Sequence, residues 1–115
     1  MKRDMDLIRA ILLKVEESTS LGGCQIELPG YSEEEQYYNA KQAQDAGLIE
    51  ARFAPGSTDF HVLRLTYAGH EFLDAARNDT TWAKAKETVL KNTGSLTVEG
   101  LKIVLSALIR HALGG

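Results

Sequence analysis

Ala46-Gly47-Leu48-Ile49-Glu50-Ala51-Arg52-Phe53-Ala54-Pro55-Gly56-Ser57-Thr58-Asp59-Phe60-His61-Val62-Leu63-Arg64-Leu65-Thr66 is the stretch on which the fold turns. Two runs rich in apolar and aromatic residues, 48–54 and 60–66, flank a short polar link whose Pro55-Gly56 tip favours a type II turn. The pattern predicts a β-hairpin with Leu63 and Leu65 on one face and Ile49 and Phe53 as their partners. Gly47 supplies the left-handed stop of a preceding helix, with Leu48 packing back over its last turn. Thr66 is placed to cap a helix that starts directly after the second strand.

Upstream, Ser32 followed by Glu35 forms a capping box, and Glu33 and Glu34 also suit a helix N-terminus. That helix is expected to run to about Ala46, with Gln36, Tyr37, Ala40, Ala43 and Gln44 inward and Glu34, Tyr38, Lys41, Gln42 and Asp45 outward. Residues 4–17 carry Met5, Ile8, Ile11, Leu12 and Val15 at helical spacing, widened by Leu7, with Asp4 as N-cap. Cys24-Gln25-Ile26-Glu27-Leu28 reads as a short strand stopped by Pro29-Gly30. Downstream, three more helices are predicted. The first spans about 67–78 with Phe72, Leu73 and Ala76 inward; the second is capped by Asp79 or Thr80, with Trp82, Ala85 and Val89 on one side. The third spans about 97–113 and is apolar around most of its circumference.

The order helix, short strand, helix ending in Ala46-Gly47-Leu48-Ile49, hairpin, Leu65-Thr66, helix resembles a winged-helix domain. The expected fold class is therefore α+β and mainly helical: a winged-helix-like core over residues 1–79 with a β-hairpin wing, and a C-terminal helical extension over 80–115, in one domain overall. Five blocks sharpen the resemblance: residues 1–9, Tyr31-Ser32-Glu33-Glu34-Glu35, Ala46-Gly47-Leu48-Ile49-Glu50, Leu65-Thr66-Tyr67-Ala68-Gly69-His70-Glu71-Phe72-Leu73-Asp74, and Trp82. Together they are similar to the bacterial and phage-associated family called domain of unknown function 2513. The resemblance implies a small cytoplasmic protein of winged-helix type and brings no catalytic residues. The chain departs from the family pattern at Ala40 and Ala43, where larger apolar residues are usual, and at Asn39, where a histidine is usual.

Composition narrows the function classes. With 115 residues, 43% of them hydrophobic and 25% charged, the chain has the make-up of one soluble globular domain. Its apolar runs are too short to span a bilayer, and charges at Lys2, Arg3 and Asp4 interrupt the place where a secretory signal would turn apolar. The single cysteine, Cys24, forbids an internal disulfide and fits a reducing cytoplasm. Charge is uneven: residues 19–47 hold one lysine against five acids, whereas residues 80–115 hold five bases against two acids. No basic stripe of the kind that grips many phosphates is visible.

Catalytic and metal chemistry find little support. His70-Glu71 begins a zinc-protease pattern, but Asp74 stands where the second histidine is required. His70 and Asp74 as a metal pair compete with an ordinary helix-surface contact, and Cys24 reads as a small half-buried residue rather than a nucleophile. His111 and Arg110 suit the negative end of a helix. No metal, cofactor or small-molecule ligand is expected, and the chain is read as non-enzymatic.

Two binding roles remain. In the first, a DNA-binding or transcription-regulator-like protein, Tyr38, Asn39, Lys41 and Gln42 face double-stranded DNA from the exposed side of the helix ending at Gly47, and Arg52 and Arg64 hold phosphates from the wing. In the second, the alternative to that principal reading, a protein-interaction adaptor has kept the scaffold without the DNA surface. Glu34, Glu35 and Asp45 oppose the first, because they present negative charge to phosphates, and no first helix of a helix-turn-helix pair is apparent in residues 18–31. The terminal helix suggests a homodimer through Leu101, Val104, Leu105, Leu108 and Ile109.

Overall fold

A computed structural model describes residues 1–18 and 22–114. It divides into two compact units, Met1–His70 and Glu71–Gly115. Among the described residues, five helices accompany one two-stranded antiparallel hairpin, a winged-helix-like arrangement.

In the first unit, α1 (Met5–Glu17) is capped by Asp4, whose carboxylate accepts from the Asp6 and Leu7 amides at 3.0 and 3.1 Å. Met5, Leu7, Ile8, Ile11, Leu12 and Val15 are all buried, so the stripe read from the sequence is the core face. This helix packs on the next, α2 (Glu33–Asp45), and on the hairpin. The capping box at Ser32 and Glu35 is complete in both directions. At the other end of α2, Gly47 (φ 79°) donates to Gln44 and Leu48 to Ala43, both at 2.9 Å. These two bonds form a Schellman motif, which satisfies carbonyls the helix leaves open and turns the chain into the hairpin.

The hairpin consists of β1 (Ile49–Phe53) and β2 (Phe60–Leu65). Its register departs from simple alternation between Glu50 and Ala51, where Leu63 has no opposite number. The bulge turns Phe60 and Val62 inward together with Leu65 and leaves Leu63 half-buried, correcting the expectation that Leu63 and Leu65 share the core face. The expected strand over 24–28 contracts to one bridge, Cys24 with Val62. Its end is drawn away from the sheet because the Gln36 side chain accepts from the Leu28 amide at 2.9 Å and donates to the Leu28 and Tyr31 carbonyls. No helix lies between α1 and α2 among the described residues. Thr66 caps α3 (Tyr67–Ala76), accepting from the Gly69 amide at 2.9 Å. Gly69 is needed there, since a methyl group on it would lie 1.9 Å from the Leu48 carbonyl oxygen.

The second unit takes in the later part of α3, then α4 (Asp79–Thr93) and α5 (Val98–Ala112), the last two packed on each other. Asn78, rather than Asp79 or Thr80, caps α4 by accepting from the Thr81 amide at 3.0 Å. Trp82, Ala85 and Val89 are buried as expected, and Trp82 meets Phe72 edge-on at 6.1 Å. On α5 only Val98, Leu101 and Leu105 are buried, while Ile103 is 68% exposed and Leu113 82%. The helix is thus embedded along one stripe, because Glu99, Lys102, Ser106, Arg110 and His111 interrupt the apolar circumference.

Candidate interaction surface on the second helix and hairpin

The exposed ridge of α2 is built from residues one turn apart: Glu34, Tyr38, Lys41 and Asp45. Tyr38 is half-buried and Gln42 flanks the ridge, also half-buried. Asn39 is not on this surface. It is 1% exposed; its carbonyl oxygen accepts from the Asp4 amide at 2.7 Å, and its amide nitrogen donates to the Glu35 carbonyl at 2.9 Å. The expectation that Asn39 faces outward is therefore corrected. Its side chain ties α1 to α2, and a buried amide is retained because both of its ends are bonded.

The structure separates the three cations expected to face DNA, Lys41 on the helix and Arg52 and Arg64 on the wing. Lys41 lies over the Phe53 ring at 5.1 Å and the Tyr37 ring at 6.0 Å, on the side of the hairpin that faces α2. Tyr37, Phe53 and Phe60 form one aromatic cluster there, with centroids 5.2 to 6.3 Å apart. Arg52 and Arg64 alternate with these residues and lie on the opposite face. Arg64 is ion-paired to Glu50 at 2.7 Å, whereas Arg52 is exposed. The wing turn is likewise tied down: the Thr58 hydroxyl donates to Glu33 at 3.2 Å, next to the acidic start of α2. Glu27, Glu33 and Asp59 line a hollow of about 90 Å³ beside this contact, together with Gln36, Thr58 and Phe60. At Tyr31, burial first, then the carboxylates of Asp4, Asp6 and Glu35, raise the phenol above its usual value.

The family model described as "Hypothetical protein (DUF2513)" matches residues 2–95. The chain belongs to the DUF2513 family. An uncharacterised protein of Haemophilus influenzae is 37% identical over 117 residues, covering 98% of this chain and 99% of that protein. No solved structure matches. In this DUF2513 chain, the aromatic cluster beneath Lys41 and the tie between Thr58 and Glu33 escaped the sequence reading. Phe53 and Phe60 were legible as strand residues, but Tyr37 meets them only once the hairpin folds back along α2.

Other candidate chemistry is dispersed. His70 is exposed, and Asp74 is engaged by Arg77 at 2.9 Å. Cys24 is half-buried, with its backbone spent on Val62, and the His61 ring is 2.6 Å from the Gly22 carbonyl. Among the described residues, no three His, Cys, Asp or Glu side chains are grouped to hold a metal. No described helix is long and apolar enough to cross a membrane. Of the candidate dimer residues, Leu101 and Leu105 are buried in the single chain, Val104 and Leu108 are half-buried, and Ile109 is 38% exposed. Leu101 and Leu105 thus belong to the core, not to a surface open to a second copy.

Proposed function

We propose that this DUF2513 protein is a non-enzymatic cytoplasmic binding module whose α2 ridge engages another protein. The observation that carries this reading is the ridge itself. It places Tyr38 between Glu34, Lys41 and Asp45, an aromatic anchor in a mixed but predominantly acidic setting. Its partner is a protein surface that offers basic side chains and an apolar seat for Tyr38. The buried Asn39 and the Glu50 partner of Arg64 support this reading, since both remove groups a DNA interface would use. The alternative, a DNA-binding regulator, rests on the winged-helix-like order and the exposed Arg52, with Gln42 left to read bases and the wing to hold phosphates.

Fluorescence anisotropy with mixed DNA duplexes, from low to moderate salt, separates the two. Wild-type protein is expected to show no salt-dependent binding, while Glu34→Lys combined with Asp45→Lys gains non-specific affinity. A photocrosslinker at Tyr38 is expected to capture a protein in cells and to lose it in the doubly reversed variant. Wild-type DNA binding whose log affinity falls with log salt by about 0.9 per phosphate, over several phosphates, would overturn the proposal.

A further inference from the structure

The outward face of α5 has the pattern of a helix that pairs with its own copy. Glu99 and Arg110 are eleven residues apart, about three turns, so they lie on nearly the same line along the helix. Between them that line carries Ile103, 68% exposed, and the small residues Ser106 and Ala107, also exposed. Buried Leu101 and Leu105 fix the opposite stripe inside the chain, which leaves this line pointing outward. Acid at one end, base at the other and an isoleucine near the middle make the face complementary to itself when reversed.

We propose that two copies of this chain associate through α5, antiparallel across a two-fold axis that passes between Val104 and Leu105. About that axis, Glu99 of each copy is level with Arg110 of the other, so the pairing forms two ion pairs. The two Ile103 side chains come within one turn of each other, and Ser106 and Ala107 leave room for the backbones to approach. A parallel arrangement would set Glu99 against Glu99 and Arg110 against Arg110. Glu99 already has Lys102 at 3.7 Å on its own helix, an exposed pair that a neighbouring Arg110 extends rather than replaces. Both charges also suit the dipole of their own helix, so a test must separate pairing from helix stability.

Sedimentation equilibrium on the full chain provides that separation. Wild type is expected to dimerise, and Ile103→Lys to remain folded by circular dichroism but sediment as a monomer. Glu99→Arg alone gives two basic ends and Arg110→Glu alone two acidic ends, so each homodimer weakens by at least about tenfold. An equimolar mixture of those two variants restores both ion pairs and is expected to form a heterodimer as tight as wild type. Helix-dipole effects cannot produce that recovery, because each chain keeps its own unfavourable charge. A monomeric wild type, single variants that dimerise normally, or a mixture that fails to recover would each overturn the proposal.

Discussion

α1 and α2 are the same length, touch one another, and are held by opposite means. α1 buries six apolar side chains, from Met5 to Val15. The buried face of α2 is Gln36, Asn39, Ala40 and Ala43, with no large apolar side chain among them. What α2 lacks in apolar area it makes up with hydrogen bonds that reach beyond itself. Gln36 binds the 28–31 loop, Asn39 binds the start of α1, and Gln44 accepts from the Ala51 amide of β1 at 2.7 Å. Ala40 and Ala43 let neighbours come close enough for those bonds to form. Burial of side chains holds the first helix, and specific polar contacts place the second. A helix placed by its neighbours can keep its outer ridge free for a partner.

The contrast breaks most visibly at Leu12, which is fully buried on α1. Leu12→Ala removes apolar contacts and leaves a cavity, so a loss of about 2–5 kcal/mol is expected in urea unfolding. A loss below about 1 kcal/mol would mean that α1 is not the apolar anchor. Asn39→Ala is the corresponding change on α2. It strands the Asp4 amide, while the Glu35 carbonyl keeps its bond within the helix, and about 1–3 kcal/mol of stability is expected to go without any change in the outer ridge. Were Asn39 a DNA-reading residue, the same substitution would leave stability intact and weaken DNA binding. Measuring both quantities on one variant distinguishes a tie between helices from an interface residue.

The different means of holding the two helices explain what the sequence makes legible. A stripe such as that of α1 is periodic, and periodicity is visible within one segment. The ends of α2 are legible for a similar reason: Ser32 with Glu35, and Gly47 with Leu48, are local signals whose partners lie within a few residues. The middle of α2 is not. Asn39 looks like a surface residue until Asp4, thirty-five positions earlier, presents an unpaired amide to it. The same holds for Leu63, because a bulge depends on two strands at once and shifts every inward position after it. On α5 an apolar census pointed to a broad apolar face, Leu101 and Leu105 included, open to a second copy, whereas the polar residues spaced through it leave one stripe buried in the chain and one outward. For the candidate surface, residue types such as Tyr38 and Lys41 were readable, but the separation of Lys41 from Arg52 and Arg64 depends on hairpin alternation and packing against α2.

If α2 is held by polar contacts and by its ends, its caps matter more than their size suggests. Ser32 accepts from the Glu35 amide at 3.1 Å, and the Glu35 carboxylate accepts from the Ser32 amide at 3.0 Å. Ser32→Ala removes the first of these bonds, and about 1 kcal/mol is expected to be lost. For a unit of this size that is a fall in melting temperature of about 4–8 °C, readable by circular dichroism. The loss should concentrate in the first turn of α2, where Gln36 holds the 28–31 loop, so amide exchange at Gln36 and Leu28 is expected to quicken before that in the α1 core. Uniform quickening across both helices would show that the first turn opens only with the whole unit. In that case the two helices, however differently built, fail as one.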